Sequence, residues 1–272
     1  MWMGPNGELV KALDDYCYGK DGFRFALMIR GKWGSGKTWL VDRFFEEKRQ
    51  NRKNDDVIWK PLRVSLFGAR SSADIGEALY AELHPLLAGK PGQVGSFVVR
   101  SLLKTTLRID FSELVERKDN GKSSGSVTLA GADLRGRGEN RKPKRRIIVF
   151  DDLERASMPV TDILAAIHPL VDGGDNRVIL LVNEEEIKHL SELENERYQR
   201  AKEKTVFLTL EVEPDFKSAL AAISNNIKNS NFREFVQTLI KHFEPMVKNS
   251  GAANLRLLSV FVHLGEVLFN SI

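Results

Sequence analysis

Apolar residues fall into two alternating rhythms along this chain. One is the short unbroken run. Phe25–Ile29, Ile147–Phe150 and Val178–Val182 each read as a strand buried on both faces. Residues 57–67 and 206–212 read as two further strands, closed by Gly68 and Pro214. The other rhythm is helical. Leu9, Leu13 and Tyr16 or Cys17 share a face ahead of the first strand, and Leu40, Val41, Phe44 and Phe45 follow it. Ile75, Leu79, Leu83 and Leu86 mark a helix opened by Ser71, with Asp74 three residues on. Val160, Ile163, Leu164, Ile167, Leu170 and Val171 mark another over 157–171. A polar helix over 184–203 precedes the last strand. Beyond Pro214 the pattern is all helical, with a stripe from Phe232 to Phe243 and a final helix opening near Asn254.

Strands alternating with helices predict an α/β fold of three layers around a mostly parallel sheet, joined by right-handed crossovers. The pattern divides the chain into a core over 1–212 and a helical piece over 213–272. The apolar helix near Ile272 suggests that further sequence or a partner packs there, with this chain the N-terminal portion of something longer.

Residues 89–144 break the alternation. They hold an amphipathic piece at 96–117, a Gly/Ser/Lys stretch and a basic run, and read as an insertion that is partly helical and partly mobile. The basic run, 135–146, has seven basic residues and one acidic residue. The whole chain carries +4, so everything outside that run sums to −2. The basicity is local, which weakens any argument from net charge to nucleic acid. The run is open to two readings, a solvated loop or a site for nucleic acid or a partner protein. No aromatics interleave with its charges as a single-strand stacking platform requires.

Hydrophobic residues make up 42% of the 272 and charged residues 29%, ordinary for a globular protein. No run approaches the roughly 20 apolar residues of a membrane span. Cys17 is the only cysteine, which excludes an internal disulfide and a cysteine-rich zinc site. Together with the lack of a signal-peptide pattern, this reads as a cytoplasmic protein.

Between the first strand and its helix stands Gly31-Lys32-Trp33-Gly34-Ser35-Gly36-Lys37-Thr38, a complete G-x-x-x-x-G-K-[ST] phosphate-binding loop in its proper context. Its glycines let successive backbone N–H groups point inward, toward polyphosphate oxygens at a helix N-terminus. Lys37 is placed for the β- and γ-phosphates and the Thr38 hydroxyl for Mg²⁺. Trp39, next along, completes the nucleotide-binding stretch. The strand Ile147–Phe150 delivers Asp151 and Asp152 at its C-terminal end, where open α/β sheets bind ligands. Asp151 is the candidate to hold Mg²⁺ through water, and Asp152 the candidate to polarise attacking water. Asn183 ends the next buried strand. It reads either as a γ-phosphate sensor or as the cap of a helix opening on Glu184-Glu185-Glu186. Tyr16 or Tyr18 reads either as a base contact or as core.

The loop at 31–38, the run Phe150-Asp151-Asp152-Leu153-Glu154-Arg155, the polar strand end at 183 and the terminal Asn254-Leu255-Arg256 together resemble the KAP-type P-loop NTPases. These belong to the additional-strand branch related to AAA+ and STAND ATPases, and the resemblance spans about 8–265 apart from the insertion. The family usually has Asp-Asp-Leu-Asp-Arg, so Glu154 departs from it. The resemblance implies a sheet order of 5-1-4-3-2 and a helical lid over 213–272. It makes Arg256 a lid arginine near the γ-phosphate, and Arg197 or Arg200 a finger presented to a neighbouring subunit. Surface ion pairing is the other reading for these arginines. Many members carry membrane helices between the two motifs, where this chain has its polar insertion. The implied activity is Mg²⁺-dependent ATP hydrolysis in a homo-oligomer with shared sites, acting with an effector protein or region; kinship adds antiviral defence. No guanine-reading Asn-Lys-x-Asp occurs, which favours ATP. A nucleotide-gated switch with slow turnover and a nucleic-acid-binding ATPase using 135–146 are the competing readings.

Overall fold

A computed structural model describes residues 4–19, 22–51, 60–83, 146–172, 176–187, 191–249 and 254–271. The insertion at 89–144, its basic run up to Arg145, the expected strand start at 57–59 and the helix end beyond Leu83 lie outside the described residues.

Five strands form one sheet: β1 (Ala26–Arg30), β2 (Leu62–Ser65), β3 (Arg146–Asp151), β4 (Asn176–Val182) and β5 (Val206–Glu211). Their order is β2-β3-β4-β1-β5 and every pairing is parallel. Read from the other edge this is the expected 5-1-4-3-2. In β1, β3 and β4 nearly every residue is buried, because helices cover both faces.

The period of two sorts those residues cleanly. Ala26, Met28, Ile148, Phe150, Val178 and Leu180 face one core, with α3 (Ser72–Leu83), α4 (Val160–Asp172) and Tyr198 of α6 (Glu192–Thr205). Leu27, Ile29, Ile147, Val149, Ile179 and Leu181 face the other, with α1 (Gly7–Tyr18) and α2 (Lys37–Asn51). Tyr16 belongs to that second core. Its hydroxyl lies 2.7 Å from the Phe25 carbonyl oxygen and 3.0 Å from that of Val178, which fits the core reading for Tyr16.

The expected single helix over 184–203 is two: α5 (Glu184–Ile187) and α6. Ser191 starts α6 with a full capping box, its hydroxyl accepting from the Glu194 N–H while the Glu194 carboxylate accepts from the Ser191 N–H. After β5 come α7 (Phe216–Asn226), α8 (Ser230–Asn249) and α9 (Leu255–Phe269). Phe216 and Leu220 pack on Leu258, and Ile227 packs on Phe232 and Val236. α7 and α9 stand beside the glycine loop and the C-terminal end of β3.

Candidate functional site

The site begins where β1 stops. Arg30 closes the strand, and the Gly31 N–H continues the ladder by donating to the Val182 carbonyl at 3.1 Å. Gly34 (φ +78°) and Gly36 (φ +96°) then take left-handed backbone that a side chain would oppose. The loop feeds α2, whose first residues are Lys37 and Thr38. The Lys37 ammonium folds back on the loop, donating to the carbonyl oxygens of Gly31 (2.6 Å) and Lys32 (3.1 Å). Burial pulls its pKa below the ordinary lysine value. Glu154, Asp151 and Asp152 push the other way, and Arg256 adds to the depression. Lys37 therefore sits within electrostatic reach of Glu154, Asp151, Asp152 and Arg256.

β3 brings the carboxylates. The Thr38 hydroxyl donates to Asp151 Oδ2 at 2.8 Å, and the other Asp151 oxygen accepts the Asp152 N–H at 2.9 Å. Asp152 is the only non-glycine residue with positive φ among the described residues (φ 57°, ψ 38°). This turn ends the strand and starts a short 3-10 segment, Leu153–Arg155. It points the Asp152 carboxylate toward the Ser65 hydroxyl (3.5 Å) and Arg155 (3.7 Å). Burial, then the charge of Asp151, raise the Asp152 pKa above the usual carboxylate range, with Arg155 opposing.

The same turn swings Glu154 back over the glycine loop. One of its oxygens accepts from the Trp33 indole N–H at 2.6 Å and the other from the Asn183 backbone N–H at 3.1 Å. A single carboxylate thus ties the loop to the end of β4. The Arg155 guanidinium lies over the Trp33 ring, 4.7 Å from its centroid. Sequence reasoning quoted Glu154 and Arg155 as motif letters without giving either a task.

The third wall is helical. The Leu255 N–H donates to the Gly34 carbonyl at 2.8 Å. Asn254 caps α9 by accepting from the N–H groups of Arg256 and Leu257. Together the loop, the β3 turn, α7 and α9 enclose a cavity of about 370 Å³ whose lining includes Lys37, Thr38, Trp39, Asp151, Asp152 and Arg256. Ala219, Ala222, Ile223 and Asn226 of α7 also line it, with no motif to announce them.

Asn183 is buried but lines a separate, smaller cavity of about 100 Å³ with Arg30, Lys32, Glu184 and Glu211. Its carbonyl accepts from Glu186 in the first turn of α5. Next to it, Glu184 is buried and accepts from the Tyr198 hydroxyl (2.8 Å), Lys202 (2.5 Å) and Arg30 (3.4 Å). Arg197 and Arg200 are exposed on α6, Arg200 paired with Glu196 at 3.5 Å, and neither lines the cavity.

A parallel sheet in this order, with a glycine loop after its first strand and paired carboxylates after its third, defines a P-loop NTPase. The KAP family P-loop domain matches residues 8–241, and the chain belongs to that family. No curated protein matches. Among solved structures it is similar to Cdc6p from Pyrobaculum aerophilum (13% identity, TM-score 0.41, covering 82% of this chain and 49% of that one). It is also similar to a DNA replication initiation factor (13%, 0.41, 94% and 65%) and to Drosophila ORC bound to DNA (12%, 0.46, 96% and 55%). The chain therefore spans 49% to 65% of the length of these structures. Among the described residues no helix is long and apolar enough to cross a membrane.

Proposed function

We propose that the chain is a Mg²⁺-dependent ATPase whose turnover drives or gates an oligomeric assembly. The observation that carries this reading is the 2.8 Å contact between Thr38 and Asp151 in a cavity that also holds Lys37 and Arg256. Polyphosphate needs cations and inward amides. The divalent ion that travels with it needs one or two protein oxygens and takes its other ligands from water and phosphate. No cluster of three or more metal-binding side chains exists among the described residues. A hydroxyl beside one carboxylate is thus the donor set that fits Mg²⁺ arriving with a nucleotide. When bound, the ion neutralises charge developing on the phosphates. Lys37 cradles the phosphates, Asp152 orients water, and Asn183 senses the γ-phosphate through the strand end that Glu154 clamps.

Preference for ATP is supported by the missing guanine reader and by Trp39 on the cavity wall. Sharing of sites between subunits is supported by the two exposed arginines on α6. A nucleotide-gated switch with slow turnover draws on the contact between Leu255 and Gly34, through which binding alone can set the position of the lid. Cytoplasmic placement, an effector partner and a part in antiviral defence follow from kinship and composition. Nucleic-acid binding through 135–146 concerns a run of which only Arg146 lies among the described residues.

The test is ATP turnover measured against protein concentration with molar mass recorded alongside, in wild type and Lys37→Ala. Wild type should turn over ATP faster per subunit as it associates, and Lys37→Ala should bind no ATP. Unchanged ATP affinity in that variant sinks the site, and full turnover in a strict monomer sinks the shared-site reading.

A further inference from the structure

Among the described residues three cations line the nucleotide cavity, and the proposed function has tasks for two of them, Lys37 and Arg256. The third is Arg155. It comes from the β3 turn of the same chain, one residue past Glu154. Its backbone is fixed at both ends, its N–H donating to the Asp152 carbonyl (2.9 Å) and its carbonyl accepting from Gly68 (3.1 Å). Among the described residues the contacts of its guanidinium are loose. It lies over the Trp33 ring, and Nε stands 3.7 Å from Asp152 Oδ1 with both side chains about one third exposed (34% and 35%). An ion pair that open to solvent is weak. The aromatic platform is firmer, because the Glu154 carboxylate pins the Trp33 indole N–H at 2.6 Å.

We infer that Arg155 is a catalytic arginine supplied in cis, parked on Trp33 and Asp152 and drawn onto the γ-phosphate when nucleotide binds. This rests on the proposed ATP hydrolysis in the same cavity. A phosphoryl group offers a planar guanidinium stronger, bidentate hydrogen bonds than one exposed carboxylate at 3.7 Å, so the exchange of partners runs toward phosphate. Leaving Asp152 also frees that carboxylate for water. In the step itself the water oxygen forms its bond to Pγ while the bond from Pγ to the bridging oxygen breaks. That electron pair stays on the ADP oxygen, and the water's proton passes to Asp152 and then to solvent. Arg155 donates N–H bonds to the γ-phosphoryl oxygens as their charge redistributes and takes no part in bond making. Trp33 and Glu154 become positioning residues: one is the shelf and the other holds it.

The alternative is that Arg155 only braces the glycine loop through Trp33. A brace supports ground-state and transition-state ligands alike, which the experiment exploits. Purified full chain, Arg155→Ala and Arg155→Lys are assayed for ATP turnover across protein concentrations. Binding of Mg²⁺–ADP with beryllium fluoride, a ground-state mimic, is compared with ADP–aluminium fluoride, a transition-state mimic. Arg155→Ala should lose about 100-fold in turnover at every protein concentration and a similar factor in aluminium fluoride complex affinity. Its beryllium fluoride affinity should stay within about threefold, and Arg155→Lys should recover less than about a tenth of the lost rate, lacking the planar fork. Turnover within about threefold of wild type, equal weakening of both complexes, or a loss confined to the associated form each overturns the inference, since none fits a cis contact worth about 100-fold. A wild type that binds no nucleotide overturns the ATPase reading as well. A wild type that binds, beside an Arg155→Ala indistinguishable from it, overturns this inference alone.

Discussion

Gly34 and Asn254 are so close that a Cβ on Gly34 would lie 2.0 Å from the Asn254 side-chain oxygen. That oxygen is not free to move, because it accepts the N–H groups of Arg256 and Leu257, the second and third residues of α9. The glycine loop and the cap of the last helix are therefore fitted to each other before any ligand arrives. Gly34→Ala should displace the cap and force a side chain onto φ +78°, each costing about 1 kcal/mol. Because the loop's inward amides move with it, ATP affinity should fall at least about tenfold, or about 1.4 kcal/mol. Urea unfolding and calorimetric titration check both effects. Wild-type stability in the variant would mean that the cap is not seated as described.

Glu184 makes a pH-dependent contribution to stability. Burial alone would raise its pKa, but the hydrogen bonds from Lys202 and Tyr198, with Arg30 behind them, outweigh it and hold the carboxyl below its usual range. A carboxyl depressed in the folded state stabilises the fold above its unfolded pKa, about 4.3, and loses that contribution as pH falls through the folded value. Glu184→Gln should therefore cost about 2–3 kcal/mol near pH 7, where Lys202 is left facing a neutral amide. The gap between wild type and variant should narrow as pH falls below about 4.3 and close only once pH is below the depressed folded value. Denaturant titrations at the two pH values decide it; a gap that does not narrow in acid would show that packing carries the effect.

Much of this was legible because the signals are local. A strand, a glycine loop and a helix lie within residues 25–45, and four apolar residues followed by two carboxylates need no partner to be recognised. Sheet order came from kinship, since no local pattern states which strands are neighbours. What escaped was tertiary. Glu154 meets Trp33 across 121 positions only because Asp152 turns left-handed, and nothing in the letters announces that turn. The α7 wall of the cavity consists of alanines, an isoleucine and an asparagine that any amphipathic helix could carry. The start of α6 was legible in principle: Ser191 and Glu194 form the S-x-x-E pattern of a helix start, but the charge pattern on either side hid it.

Arg197 and Arg200 flank buried Tyr198 on α6, so the helix holds their backbones while their side chains face solvent. The ion pair from Arg200 to Glu196 is too exposed to matter for stability. If one of the two is a finger for a neighbouring subunit, its change to alanine should lower turnover about 1,000-fold in the associated form alone. The variant's unfolding midpoint should be unchanged. Turnover of both variants on either side of the association threshold is the measurement. Two variants with wild-type rates in the associated form would exclude a finger from α6.

Asp152→Asn isolates the role of the second carboxylate while leaving its backbone turn in place. Asparagine has the same shape and tolerates left-handed backbone about as well as aspartate, so the turn at φ 57° should survive. The neighbouring Asp151 keeps its contact with Thr38, so phosphate and Mg²⁺ binding should be spared. The ability to take a proton disappears, from a group whose burial and acidic neighbour already raise its basicity, and with it the exposed ion pair to Arg155, which is weak. ATP affinity should stay within about threefold while turnover drops about 100- to 1,000-fold, the usual contribution of a general base. Phosphate release beside calorimetric binding checks this. A variant that turned over at the wild-type rate would move the role to another carboxylate on the same wall. Glu154, the strongest acidic influence on Lys37, would be next to test.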